Sequence, residues 1–178
     1  MPVDRTLSIT ATPTLIWHAP NDIGATMAYA QTGSTPNMPN LVNSQTGNIS
    51  LRNMPSNNNY TDNVDITITL DTSQLRDQSG NPVAGRWAYA NEGNPPDDVG
   101  FCWFCTTPAP GQRKDTTEIT IPGMTTGRTS DTVVFIDDNT ADGDLTYTFC
   151  LGLVLPAYSN YYITIDPTII GKGVGGGG

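Results

Sequence analysis

Apolar and polar residues alternate with a period of two through most of this chain, and hardly anywhere with the period of a helix. The cleanest stretch is Val64–Leu70, where Val64, Ile66, Ile68 and Leu70 point one way and Asp65, Thr67 and Thr69 the other. That is the pattern of a strand with one wet face. Leu7–Thr10, Leu15–Trp17 and Asn48–Leu51 carry shorter versions, and Thr26–Ala30 a weaker one. Arg86–Ala90, Val99–Cys105, Glu118–Ile121, Thr132–Ile136, Leu145–Leu155 and Tyr161–Ile165 complete the predicted strands. Windows long enough for two helical turns are broken by Pro or Gly or carry β-branched runs. A single helical turn is expected near Thr72–Asp77, capped by Asp71 or Thr72.

Gln31–Gln45, with Pro36 and Pro39, and Met54–Asn63, with Pro55 and three successive asparagines, read as long loops. Asn91–Asp98, with Pro95 and Pro96, is a third. Short strands without intervening helices predict an all-β fold. We expect a single antiparallel β-sandwich over residues 1–170, Ig-like or jelly-roll-like with long loops, followed by a glycine-rich tail, 171–178. Its core is expected to combine Val64, Ile66, Ile68 and Leu70 with Val133, Phe135, Tyr147 and Phe149 of a C-terminal hairpin.

Charge narrows the partners. Lys and Arg number 8 against 17 Asp and Glu, a formal net charge of −9. Nucleic acid and anionic membrane surfaces both require clustered cations, so neither is expected as a partner. Glu92 and Glu118 are the only glutamates, and Asp favours turns where Glu favours helices. The longest apolar run, around Cys150–Pro156, is far short of the ~20 residues of a spanning helix. Met1-Pro2-Val3-Asp4 is polar and leads into no uninterrupted apolar stretch. The expectation is therefore a cytoplasmic product or a mature exported chain.

Candidate chemistry is sparse. Cys102-Trp103-Phe104-Cys105 has redox-pair spacing, but that chemistry needs the first Cys at a helix N-terminus. Here the motif falls on a predicted strand, where residues three apart face opposite sides, so no redox couple is expected. Zinc would have to recruit Cys102, Cys105, Cys150 and the sole histidine, His18. The strong signature has a second paired ligand set, which this chain lacks; a disulfide from Cys150 to one of the pair is the other option in an oxidising compartment.

The acidic run Asp137–Asp144 invites calcium, yet the twelfth position counted from Asp138 is Phe149 and no helices flank it. A hairpin turn closed by Asp142-Gly143 explains the run without a metal. Ser–His–Asp chemistry would depend on His18, and G-x-S-x-G, phosphate-loop and dinucleotide motifs are absent. Trp87, Tyr89, Trp103, Tyr158, Tyr161 and Tyr162 are candidates for a stacking surface, with core packing as the plainer account. Asn48-Ile49-Ser50 and Asn59-Tyr60-Thr61 match the glycosylation acceptor, which matters in a eukaryotic secretory setting. No catalytic, cofactor-binding or metal-binding residue is assigned.

The last third of the chain runs through Thr132–Asn139, then Leu145–Phe149, then Ile163–Ile170 with Asp166-Pro167. It resembles the ending of small bacterial β-sandwich proteins in which a D-x-N turn precedes a Y-x-[YF] strand and a D-P-x-I segment closes the domain. More distantly it resembles the AidA/PixA inclusion-body proteins. The resemblance implies a fold and no activity. Asp166-Pro167 is expected to stop the last strand, since proline donates nothing to a ladder.

Together these features lead to an expected non-enzymatic, structural or self-assembling protein, an oligomer, filament or storage-type assembly whose partner is another copy of itself. The segment from Tyr158 onward is the expected contact, with Gly171–Gly178 ordered by it, because a glycine run is fixed only against a partner surface. The alternative is a carbohydrate- or protein-binding module using loops 31–45 and 91–98.

Overall fold

A computed structural model describes residues 1–19, 22–52, 54, 58–88, 103–105, 124–128, 132–137, 146–159, 161–165 and 168–170. These form eleven strands: β1 (Val3–Ala19), β2 (Asp22–Thr35), β3 (Ile49–Ser50), β4 (Tyr60–Leu70), β5 (Arg86–Trp87), β6 (Trp103–Cys105), β7 (Met124–Arg128), β8 (Thr132–Asp137), β9 (Thr146–Leu155), β10 (Tyr161–Ile165) and β11 (Thr168–Ile170). The described residues hold no α-helix, and a 3-10 turn at Pro156–Tyr158 links β9 to β10. The protein is all-β and its strands lie in two sheets.

The first sheet has the order β2-β1-β4-β8-β7. On its inner face β1 and β4 run in parallel register, with Leu7 opposite Ile66, Ile9 opposite Ile68 and Ala11 opposite Leu70. All six are buried, whereas Asp65 and Thr67 are half-buried and Thr69 is exposed on the other face. A one-residue slip would reverse every one of these positions. Burying each large aliphatic side chain contributes about 1.5–3 kcal/mol, so the alternation fixes the register. Of the residues expected beside them, Val133 and Phe135 stand opposite Ile68 and Ile66 in the β4–β8 ladder, whereas Tyr147 and Phe149 lie on β9 of the other sheet, so β8 and β9 are not the two arms of the expected hairpin.

In the second sheet β9 is central. Leu153 pairs with Ile163 of β10 and also with Trp87 of β5, so those strands flank β9 on opposite sides. β10 and β11 meet β9 in the same register, Tyr161 to Ile165 opposite Leu155 to Leu151 and Thr168 to Ile170 opposite Thr148 to Thr146. β11 then pairs with β3 in parallel. Leu151–Leu155 are buried at every position, which is why this run is apolar throughout instead of alternating. One hydrophobic cluster includes Leu7, Ile9, Ile66 and Ile68 of the first sheet and Ile49, Leu151, Leu153, Leu155 and Ile163 of the second.

Several expectations need correction. The pairing is not antiparallel throughout, because β1–β4 and β3–β11 are parallel. Leu7–Thr10 and Leu15–Trp17 belong to one strand that runs through Pro13. The Ala11 carbonyl accepts from Asp71 N–H at 2.8 Å, so the backbone groups of Ala11 and Pro13 point toward β4. That strand ends at Leu70, and the donor that proline lacks falls beyond it. Gln31–Thr35 is the end of β2 and Tyr60–Asn63 the start of β4, both placed in loops by the sequence reading.

The expected helical turn near Thr72–Asp77 is instead a pair of tight turns. Asp71 Oδ1 accepts from Ser73 N at 2.9 Å, and Asp77 Oδ1 from Ser79 N and Asn81 N at 2.8 Å each. These side-chain acceptors offer the backbone an alternative to helix. β10 ends at Ile165, directly before Asp166-Pro167 as expected, but it is not the last strand, since β11 pairs with β9 again from Thr168. Asn91–Asp98, Glu118–Ile121, Asp138–Asp144 and Gly171–Gly178 lie outside the described residues.

Candidate functional site

Three features stand out among the described residues: an open groove, a small aromatic cleft and a bare sheet edge. The groove lies between the outer end of β2 and residues 37–44. Gln31 clamps this segment, its Nε2 donating to the Met38 carbonyl and its Oε1 accepting from Leu41 N at 2.9 Å. Ser34 Oγ accepts from Met38 N at 2.8 Å, and Tyr29 N–H donates to the Ser44 carbonyl at 2.8 Å. Leu41 is buried beneath it. Gly47 takes φ +72, and a Cβ there would sit 2.5 Å from the Tyr29 ring. Only glycine fits so close an approach in that conformation.

The resulting hollow has a volume of about 710 Å³, and no titratable acid or base other than Tyr29 lines it. Its carboxamide and hydroxyl at Gln31 and Ser34 are already engaged in holding the chain. Such a lining has no general acid or base with a pKa near neutrality and suits contact with neutral groups.

The second feature brings Trp17 at the end of β1 against Tyr158 after β9, ring centroids 5.2 Å apart in an edge arrangement. Asp77, Gln78 and Ser79 complete a cleft of about 210 Å³. The Asp77 carboxyl is held below the ordinary carboxylate range, chiefly by the Asn81 side chain and then by backbone N–H groups. With its oxygens taken up by the turn, it is fitted to shaping the loop and not to proton transfer.

The third feature is the outer edge of β2. The β1–β2 register is unbroken from Trp17↔Ile23 to Ala11↔Tyr29, so backbone groups at Ile23, Ala25, Met27 and Tyr29 all point away from β1. Ile23 N–H donates to the Tyr161 hydroxyl at 3.1 Å, and Tyr29 N–H to Ser44. Between these two capped positions, Ala25 and Met27 N–H meet no acceptor among the described residues. The edge is also uncharged: from Ile23 to Leu51 the sequence contains no Asp, Glu, Lys or Arg. That run was visible in the sequence, but nothing there showed that it forms an edge.

His18 is exposed at the end of β1. Cys105 stands opposite Thr148 and Cys150 opposite Trp103 in the β6–β9 register, while Cys102 lies outside the described residues. Among the described residues no three His, Cys, Asp or Glu approach closely enough to hold a metal. Asp137 ends β8, and the rest of its acidic run is not described.

Of the aromatics, Trp87 is fully buried, Tyr158 and Tyr161 are half-buried, and Tyr89 lies outside. The acceptor residues Asn48 and Asn59 are both exposed. No helix of the described residues is long and apolar enough to cross a membrane. No family model matches the chain, and none of the curated proteins does.

Proposed function

We propose that this chain is a non-enzymatic structural protein, a single β-sandwich that associates with copies of itself. The sandwich reading is supported by the one hydrophobic cluster that draws on both sheets. The observation that carries the self-association is the edge of β2. A bare edge strand is a template for another chain, and proteins that stay monomeric blunt such edges with Lys, Pro, inward charges or cover. This chain carries a net charge of −9 yet places none of it from Ile23 to Leu51. An assembly that covers the edge removes the need for such protection. The C-terminal segment from Tyr158 contributes Tyr161, whose hydroxyl caps one end of the open stretch.

Light scattering coupled to size exclusion tests the proposal. The expected mass is a multiple of 19.0 kDa that rises with protein concentration; a monomer at every concentration would refute it. A second reading, recognition of a neutral sugar or protein segment, is favoured by the groove of about 710 Å³ along residues 37–44. Binding on a glycan array, lost on replacing Asn37 and Asn40 by Ala, would promote it over the first.

A further inference from the structure

Resting on the proposed self-association, we infer that two copies pair their β2 strands antiparallel about a two-fold axis at Thr26, joining their first sheets into one. The argument starts from which backbone groups are open. Ala25 and Met27 present outward N–H and C=O groups, and Thr26 between them turns its own toward β1. An axis at Thr26 sets Ala25 of one copy opposite Met27 of the other. In an antiparallel ladder such a pair exchanges both of its N–H···O=C bonds, and the axis makes the pair twice. The two-fold thus uses every open group between the capped Ile23 and Tyr29 positions; Ile23 of one copy then comes opposite Tyr29 of the other, and the shared ladder ends there because both amides are already taken. Moving the axis by half a residue would set outward groups against inward ones; moving it by one, onto Ala25 or Met27, would direct the other open residue onto Ile23 or Tyr29, already engaged.

Side chains and charge agree with that register. Thr26 meets itself on the exposed face, and Gly24 meets Ala28, so no bulky group stands in the way. On the other face Ala25 and Met27, each only partly buried against the core, meet across the axis and extend the apolar interior from one copy to the next. A two-fold axis sets any charge close to it against its own copy, so the edge near the axis is best left uncharged. This edge is free of charge along its whole open stretch. The nearest charged residue, Asp22, is separated from its symmetry mate by eight strand positions, about 27 Å at ~3.4 Å per residue, well beyond screening at physiological salt. The symmetric, self-complementary patch is what a closed dimer requires.

The test uses the full chain. Thr26→Cys is expected to form a disulfide-linked dimer on mild oxidation, because it meets its own copy at a closely spaced, non-hydrogen-bonded pair. Ala28→Cys, opposite Gly24, is expected to cross-link at least tenfold more slowly, with the parent chain and its three cysteines as background. Met27→Pro removes an outward donor that β1 does not use, so the fold survives and the dimer is lost. Thr26→Lys sets two ammonium groups face to face and serves if the proline variant does not fold.

If the parent assembles while Thr26→Cys cross-links no faster than Ala28→Cys, or while Met27→Pro and Thr26→Lys assemble as the parent does, this register is wrong and another surface is used. The edge of β10 would be the next place to look. If the parent itself is monomeric, the underlying self-association fails instead.

Discussion

Trp87 is the largest fully buried side chain in the described core, yet its indole N–H meets no acceptor among the described residues. Its value to the fold is therefore its volume and apolar surface, offset by a polar group without a partner among the described residues, a cost of about 1–3 kcal/mol. Two substitutions separate these contributions. Trp87→Ala should destabilise by about 3–5 kcal/mol through the cavity it leaves. Trp87→Phe should cost less than about 2 kcal/mol, since it keeps a ring and removes the orphaned donor. Chemical denaturation of both variants measures the difference, and equal losses would show that the N–H is satisfied. The sequence marked Trp87 as an aromatic of interest, but only the fold shows it to be core.

At the scale of elements, alternation carried the reading where one face is buried and the other wet. β4 is the clearest case, because Ile66 and Ile68 meet Leu7 and Ile9 on the inner face while Thr67 and Thr69 remain outside. It gave no warning that β1 and β4 are parallel, since a strand's pattern is the same for either neighbour direction. Nor could it join the two halves of β1, because whether Pro13 breaks a ladder depends on where β4 stops. Gln31–Thr35 read as loop for a related reason: Gly33 and small polar residues acquire a strand's geometry only through their pairing with Thr6–Ile9.

Charge on β4 yields a prediction at the same scale. The Asp65 carboxyl is held above its ordinary value, first by desolvation and then by Asp4. A raised pKa means that the ionised form disfavours folding, so the penalty is present at neutral pH and disappears as the pH falls through the folded-state pKa. Asp65→Asn should therefore raise the thermal midpoint at pH 7 and lose that advantage at acid pH. Asp77 has the opposite sign. Its depressed pKa stabilises the fold above the ordinary 3.8 and ceases to do so as the pH drops through the folded value. Thermal scans across acid pH read both, and an Asp65→Asn gain independent of pH would contradict the assignment.

For the whole molecule, the central claim is that the bare edge of β2 is covered by another copy of the chain. The uncharged run from Ile23 was legible in the sequence, but its meaning was not. An uncharged loop is unremarkable, whereas an uncharged edge strand flanked by capped amides is an open site for pairing. Within the chain, Tyr161 of the C-terminal segment closes one end of that edge; the contact of this segment with another subunit is a separate proposal. Amide hydrogen exchange at Ala25 and Met27, measured across protein concentration, tests the claim most directly. As protein concentration rises, both amides should become protected together, while those of Ile66 and Ile68 in the sheet interior stay protected at every concentration. Fast exchange at Ala25 and Met27 in concentrated solution would contradict it.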